Sequence, residues 1–375
     1  MFLTIRELVF ARSRFALMGT VVALIAILMV LLSGLSVGLV DDGVSGLKKL
    51  PVTSLAFERG VAGDAAFSRS VVDLGTVDEW AERDGVTDAA PYGNTLVNAK
   101  TNGDVDIDLA LFGVQPGSFI DPEPARGTRL GSDPNEIVVS ATALDAGVRL
   151  GDVVTVDRVG TELTVVGVLD GQHTYGHVDI GYIPLRTWQE IRTGTAPGAQ
   201  APAHAYEEIT AVAVRSASGT DLAAGDREVG TMSMTLEESF GASPGYTAET
   251  STLQMIQVFL YAISALVVGA FFTVLTIQRK PEIAVLRAMG ASTRYVLRDS
   301  LAQSLVLLTI STVLGVGIGV AAGAAISSTP MPFSLDPGSI AVAGLLLVVL
   351  GMAGAAIAVL RIVKVDPLTA LGGNR

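Results

Sequence analysis

Few residues in this sequence could do chemistry. The 375-residue chain has no cysteine and three histidines, which excludes disulfides, thiol nucleophiles and thiolate metal sites. His173 and His177, in GQHTYGHVDIG, have the four-residue separation at which two imidazoles on one helix face hold a metal. The glycines around them and the strand-like VDIGYIP argue against a helix. No acidic third ligand is fixed nearby, so no metal site is expected. His204, in an Ala/Pro-rich loop, reads as a solvated residue. Asp104, Asp106 and Asp108 alternate but lack the glycine and ligand spacing of a calcium loop; they read as solvated acids on one strand face. GxxxxGK[ST] does not occur, so the chain has no phosphate-cradling loop of its own. No catalytic residues are expected. Glu249 is the remaining candidate. It stands immediately before residues 250–278, which carry no charge, and a carboxylate at the edge of an apolar layer is costly unless it binds something. The alternative is an acid at a helix start, stabilised by the helix dipole.

The elements that position these residues are long and apolar. Mean hydropathy is +0.52 and half the residues are hydrophobic, high for a soluble chain of this length. About 20 apolar residues cross a bilayer core, and four runs reach that length. The spans are expected at 16–40, 253–278, 300–327 and 339–360. A signal peptide is the competing reading of the first run, but SGLSVGLV is a poor cleavage site. Residues 1–15 read as an interfacial helix or as an extension of the first span. Between the spans lie a domain at 41–252, a charged segment at 279–299 and a loop at 328–338, followed by a tail at 361–375. Gly34 and Gly38, and Gly315, Gly319 and Gly323, have GxxxG spacing, which suits helix association between copies or packing of the third span on the fourth.

Charge orients the spans. Basic residues flank them at the amino terminus, in 279–299 and in the tail, while STPMPFSLDPG in the third-to-fourth connection has none. By the positive-inside rule both termini and 279–299 are cytoplasmic and the protein is multi-pass in the plasma membrane. Residues 41–252 hold 32 of the 37 acids and 14 of the 25 bases, so nucleic acid is not an expected partner. In that domain IVV at 137–139, DVVTVDRV and ELTVVGVL read as strands and SATALDAGV as a short helix. The expected fold class is four transmembrane α-helices with a large mixed α/β extracytoplasmic domain between the first and second.

The segment QRKPEIAVLRAMGAS (278–292) leaves the second span through Arg279 and Lys280, turns at Pro281 and stops at Gly290. Proline suits a first helical turn, Glu282 its positive end, and glycine its stop. This segment, the VDPLTALGG tail and the NEIVVS…GDVVTV…VVGVLD run resemble FtsX-like, MacB-type ABC transporter permeases, over essentially the whole chain. The start of the chain, FSRS (67–70) and PGYTAE (244–249) are most similar to the DevC and HrtB branch, which includes haem exporters.

The resemblance implies a homodimeric efflux permease in membrane lipid, with two copies of a cytoplasmic ABC ATPase that binds ATP-Mg and does the hydrolysis. The chain itself has no cofactor, and haem is its expected cargo. Arg279, Lys280, Glu282, Arg287 and Gly290 become the ATPase-coupling element. A haem pocket needs an apolar lining and an oxygen, nitrogen or sulfur ligand; Glu249, Tyr246, Met255, Phe259, Tyr261 and Met29 are the candidates. The alternatives are an exporter of another amphiphile (peptide, glycolipid or drug) and an FtsX-like transmembrane regulator of a wall hydrolase.

Overall fold

The computed structural model describes residues 12–278, 289, 292–329 and 331–363. The segment that carries Arg279, Lys280, Glu282, Arg287 and Gly290 lies outside the described residues. The chain divides into two compact units, Met1–Leu39 with Thr250–Arg375, and Val40–Glu249.

Among the described residues, four helices are long and apolar enough to cross a membrane: α1 (Arg12–Lys48) and three long helices later in the chain. Between them come three short helices and two brief ones: α2 (Ala66–Arg69), α3 (Thr76–Ala81), α4 (Leu185–Arg192), α5 (Leu222–Val229) and α6 (Leu236–Ser239). The closing three are α7 (Tyr246–Gln278), α8 (Thr293–Ile326) and α9 (Pro337–Val363). Asp336 opens α9: its Oδ2 accepts the Ser339 N–H at 2.6 Å, and Pro337 sits where a missing N–H is harmless.

In the helical unit, α1, α7, α8 and α9 share one apolar core that includes Met18, Val22, Met29, Phe272, Leu308 and Leu347. The glycines of α8 decide how closely it approaches α1. A Cβ on Gly315 would meet the Ala23 carbonyl oxygen and stand 2.7 Å from the Ala26 Cβ; one on Gly319 would stand 2.9 Å from the Val30 Cβ. These two glycines therefore pack α8 on the first long helix, a partner that neither sequence alternative, association between copies or packing on the fourth span, had named. Gly34 and Gly38 of α1 face Phe333 and Pro332. Small residues allow such approaches because in lipid the helices gain from contact, not from leaving water.

The unit Val40–Glu249 is mixed α/β. Its strands are β1 (Ser54–Glu58), β2 (Val72–Asp73), β3 (Val86–Thr101), β4 (Asp106–Val114), β5 (Arg126–Gly127), β6 (Glu136–Val139), β7 (Val153–Val156), β8 (Glu162–Val168), β9 (Thr174–Tyr175), β10 (Val178–Pro184), β11 (Glu208–Ile209), β12 (Ala211–Ser216) and β13 (Thr231–Thr235). Eleven form one sheet in the order β13-β1-β12-β3-β4-β10-β6-β8-β5, with β7 paired to β3 and β8 and β9 paired to β10. β4–β10 and β6–β8 are parallel, and the β3–β4 ladder runs antiparallel from Tyr92↔Val114 to Lys100↔Asp106.

Alternation explains the strands. In β8 the residues Leu163 and Val165 are buried while Glu162 and Thr164 are exposed, the period-2 pattern of a sheet with one covered face. The SATALDAGV stretch forms a 3₁₀ turn at Ala141–Leu144 capped by Ser140, not a full helix. Asp106 and Asp108 lie on β4, whereas Asp104 sits in the preceding turn with φ 58°. Trp188 of α4 is fully buried against the sheet because Gly93 and Gly113 have no side chain: a Cβ on either would stand 2.5 Å from indole atoms. Phe67, Tyr92, Phe112, Tyr175 and Tyr182 form a second set of edge-to-face rings, with centroids 5.1 to 6.2 Å apart, the preferred geometry of aromatic quadrupoles.

Candidate functional site

Within the α/β unit, Glu249 belongs to a three-residue constellation that its sequence position does not announce. The last turns of α1 supply one wall, with Val44 and Leu47 in the domain core. They meet the β9–β10 hairpin through a set of hydrogen bonds. The Gly176 N–H donates to the Gly43 carbonyl at 2.9 Å, the Thr174 N–H donates to Ser45 Oγ at 2.9 Å, and the Ser45 and Thr174 hydroxyls are 2.7 Å apart. Across this joint His177 Nδ1 lies 2.8 Å from Asp42 Oδ2, and Nε2 lies 3.1 Å from both Glu249 carboxylate oxygens. Glu249 is in the first turn of α7, which suits the dipole as well.

An imidazole between two carboxylates is satisfied on both sides only as imidazolium, since the neutral ring has one N–H. Burial works to lower the His177 pKa, but the hydrogen bond to Asp42 and the charges of Glu249 and Asp42 outweigh it, and the pKa is raised. Gln172 Nε2 donates to the second Asp42 oxygen, Oδ1, at 2.8 Å. Nearby Asp179 is raised, chiefly by burial, with the Asp42 charge adding to it. His173 points elsewhere: its Nε2 is 3.2 Å from the Asp170 carbonyl oxygen, its Nδ1 is buried without a hydrogen-bond partner, and burial, with Lys49, lowers its pKa to about 4. The two histidines do not converge, and among the described residues no cluster of three or more His, Asp or Glu is placed to hold a metal ion.

The remaining candidates separate into groups. Tyr246 packs on the domain core, its ring 6.2 Å from that of Phe240. In the helical unit Met255 and Phe259, one turn apart on α7, are 55% and 61% exposed; residues four apart share a helix face. Met29 and Tyr261 instead line one cavity of about 560 Å³, together with Ser33, Ser36, Gln254 and Gln257. Asp336 and Ser339 border it as well. So many polar groups in an apolar bundle are costly unless they serve a passage or a ligand. This cavity was missed in the sequence, where Gln254 and Gln257 stand three apart in an otherwise apolar run and are the one available signal. His177 and Asp42 were missed as partners of Glu249 for lack of any local signal.

Residues 15–232 match the family described as MacB-like periplasmic core domain, and residues 255–367 match the FtsX-like permease C-terminal family. The chain is 24% identical to HrtB of Staphylococcus epidermidis, a permease named for a hemin transport system, over 99% of each chain. It is 23% identical to an uncharacterized ABC transporter permease of Mycobacterium tuberculosis, over 100% of this chain and 99% of that one. The crystal structure of the periplasmic region of MacB from Actinobacillus actinomycetemcomitans aligns with 50% of this chain and 90% of its own, at 14% identity and a TM-score of 0.37. Four apolar helices, an α/β domain between the first two, and both family matches agree: the chain belongs to the MacB-type, FtsX-like ABC transporter permeases.

Proposed function

We propose that this permease extracts haem from the membrane and expels it outward, as one of two copies served by two cytoplasmic ATPase subunits that bind and hydrolyse ATP-Mg. Both termini and residues 279–299 face the cytoplasm of a plasma membrane, as the flanking Arg and Lys residues favour. In that segment Arg279, Lys280, Glu282, Arg287 and Gly290 form the element that an ATPase engages.

The observation that carries the haem reading is α7 itself, in a chain that aligns end to end with permeases named for hemin transport. The helix begins with a carboxylate in its first turn and continues into an exposed Met255–Phe259 stripe. Haem is a flat apolar ring whose iron takes an axial oxygen, nitrogen or sulfur. Glu249, with Tyr246 and Met255 as neighbours in sequence, offers such ligands, and Phe259 offers a face for the macrocycle. A second copy facing the same stripe closes the pocket. The cavity with Met29 and Tyr261 favours a second reading, an amphiphile with a polar head that Gln254 and Gln257 would bind.

The test is a haemin titration of the permease with its ATPase, followed by visible absorption, on the wild type and Glu249→Ala. A saturable, shifted Soret band that weakens in the variant supports haem and its ligand. A spectrum indistinguishable from haemin in detergent micelles moves the assignment to another amphiphile.

A further inference from the structure

His177 is built into the α/β unit more firmly than a solvated histidine needs to be. Gly176 and His177 both have left-handed backbones, with φ of 58° and 66°, between β9 and β10. Two left-handed residues are what a tight type I′ hairpin requires, and the second position normally holds glycine or asparagine. A histidine there is uncommon, and residues held in sparsely populated backbone regions collect at functional positions. The hairpin is held to α1 by the Gly176–Gly43 and Thr174–Ser45 bonds, independently of Glu249. Asp42 fixes the ring from the α1 side, and Gln172 in turn fixes Asp42. The Glu249 carboxylate, at the start of α7, receives the free edge of that ring through Nε2.

We infer that His177 is a latch on Glu249: it holds the carboxylate away from cargo in the resting permease, and cargo takes Glu249 only by displacing the imidazole. This rests on the reading of Glu249 as a cargo ligand. His177 is then a positioning residue. The hairpin and α1 keep it in place, so displacement frees the first turn of α7 while the rest of the domain stays as it is. The ligand class that can open the latch is one that binds a carboxylate more strongly than a hydrogen-bonded imidazole does, as a ferric porphyrin does through its iron. An amphiphile without a metal or cationic group would leave it closed.

The test uses the full permease–ATPase complex with His177→Gly, which suits the left-handed backbone, Asp42→Asn, which weakens the ring's anchor, and Glu249→Ala. Two readouts are taken: hydrogen exchange of residues 246–253 without ligand, and haemin affinity from the Soret band. Loss of two charge-assisted hydrogen bonds should speed exchange about tenfold in His177→Gly and tighten haemin binding about tenfold, with Asp42→Asn moving both in the same direction by less. A residue of merely structural importance would loosen the turn without tightening haemin. Unchanged exchange in His177→Gly overturns the latch. So does unchanged or weaker haemin binding where Glu249→Ala abolishes it, the weaker case making His177 a ligand instead. If Glu249→Ala binds haemin like the wild type, the haem-ligand reading fails. The latch falls with it, and faster exchange in His177→Gly then shows only that the ring holds the first turn of α7.

Discussion

Gly315→Ala should destabilise the helical unit, and Gly317→Ala two residues away on α8 should not. A methyl on Gly315 would meet the Ala23 carbonyl oxygen and come within 2.7 Å of the Ala26 Cβ, with the Ala23 Cα at 2.9 Å. Two of these three atoms are backbone, so no side chain can rotate away and α8 must move off α1. Overpacking of this kind costs about 1–3 kcal/mol. Around Gly317 nothing lies within 4 Å of the added methyl, so only helix propensity acts, a gain of up to about 1 kcal/mol. The two variants should therefore differ by roughly 1–4 kcal/mol. The assay is reversible unfolding of the detergent-solubilised permease in a mixed SDS titration, followed by far-UV circular dichroism of the helices. Gly319→Ala, which meets the Val30 side chain at 2.9 to 3.3 Å, should fall on the destabilised side, with partial recovery in Val30→Gly. Equal midpoints for Gly315→Ala and Gly317→Ala would refute the seam between α1 and α8.

Arg287→Glu should leave the permease folded and bound to its ATPase but abolish cargo-stimulated ATP hydrolysis; unchanged stimulation in an assembled complex would remove 279–299 from the coupling role. His173 sets an acid-side dependence of stability. Burial lowers its folded pKa to about 4, below the usual value near 6.5, so its contribution is complete above about pH 6.5 and is lost as pH falls toward 4. Melting temperatures of the full chain across that range should fall less steeply in His173→Gln, and parallel curves would count against the buried neutral ring.

Local pattern carried the long-range layout. The apolar runs announce four long helices because no charge interrupts them; β7 and β8 are legible because their side chains alternate, and β6 because Ile137, Val138 and Val139 form a short buried β-branched run. Asp41 and Asp42 read as the end of the first helix, yet α1 continues to Lys48, because its last turns bury Val44 and Leu47 in the domain core. Propensity is local, and that burial is not. The GxxxG spacings showed that close approach was wanted, but spacing cannot name the facing helix, and Ala23, Ala26 and Val30 turned out to be the partners of Gly315 and Gly319. For the candidate site, Glu249 stood out by its place before an apolar run. Its partner His177 is 72 residues away, and Asp42 a further 135 from His177, so nothing in a short window could join them.

The joint at His177 has an architectural consequence. Asp42, near the beginning of the α/β unit, and Glu249, its last residue, touch one imidazole ring. The chain thus enters and leaves this unit at neighbouring points, as an inserted module does. Such an insert can be lengthened, trimmed or replaced by an unrelated one without changing the distance that the flanking helices must bridge. Transplanting Val40–Glu249 between permeases as a cassette, with its entry and exit turns intact, is the construction this closure makes available.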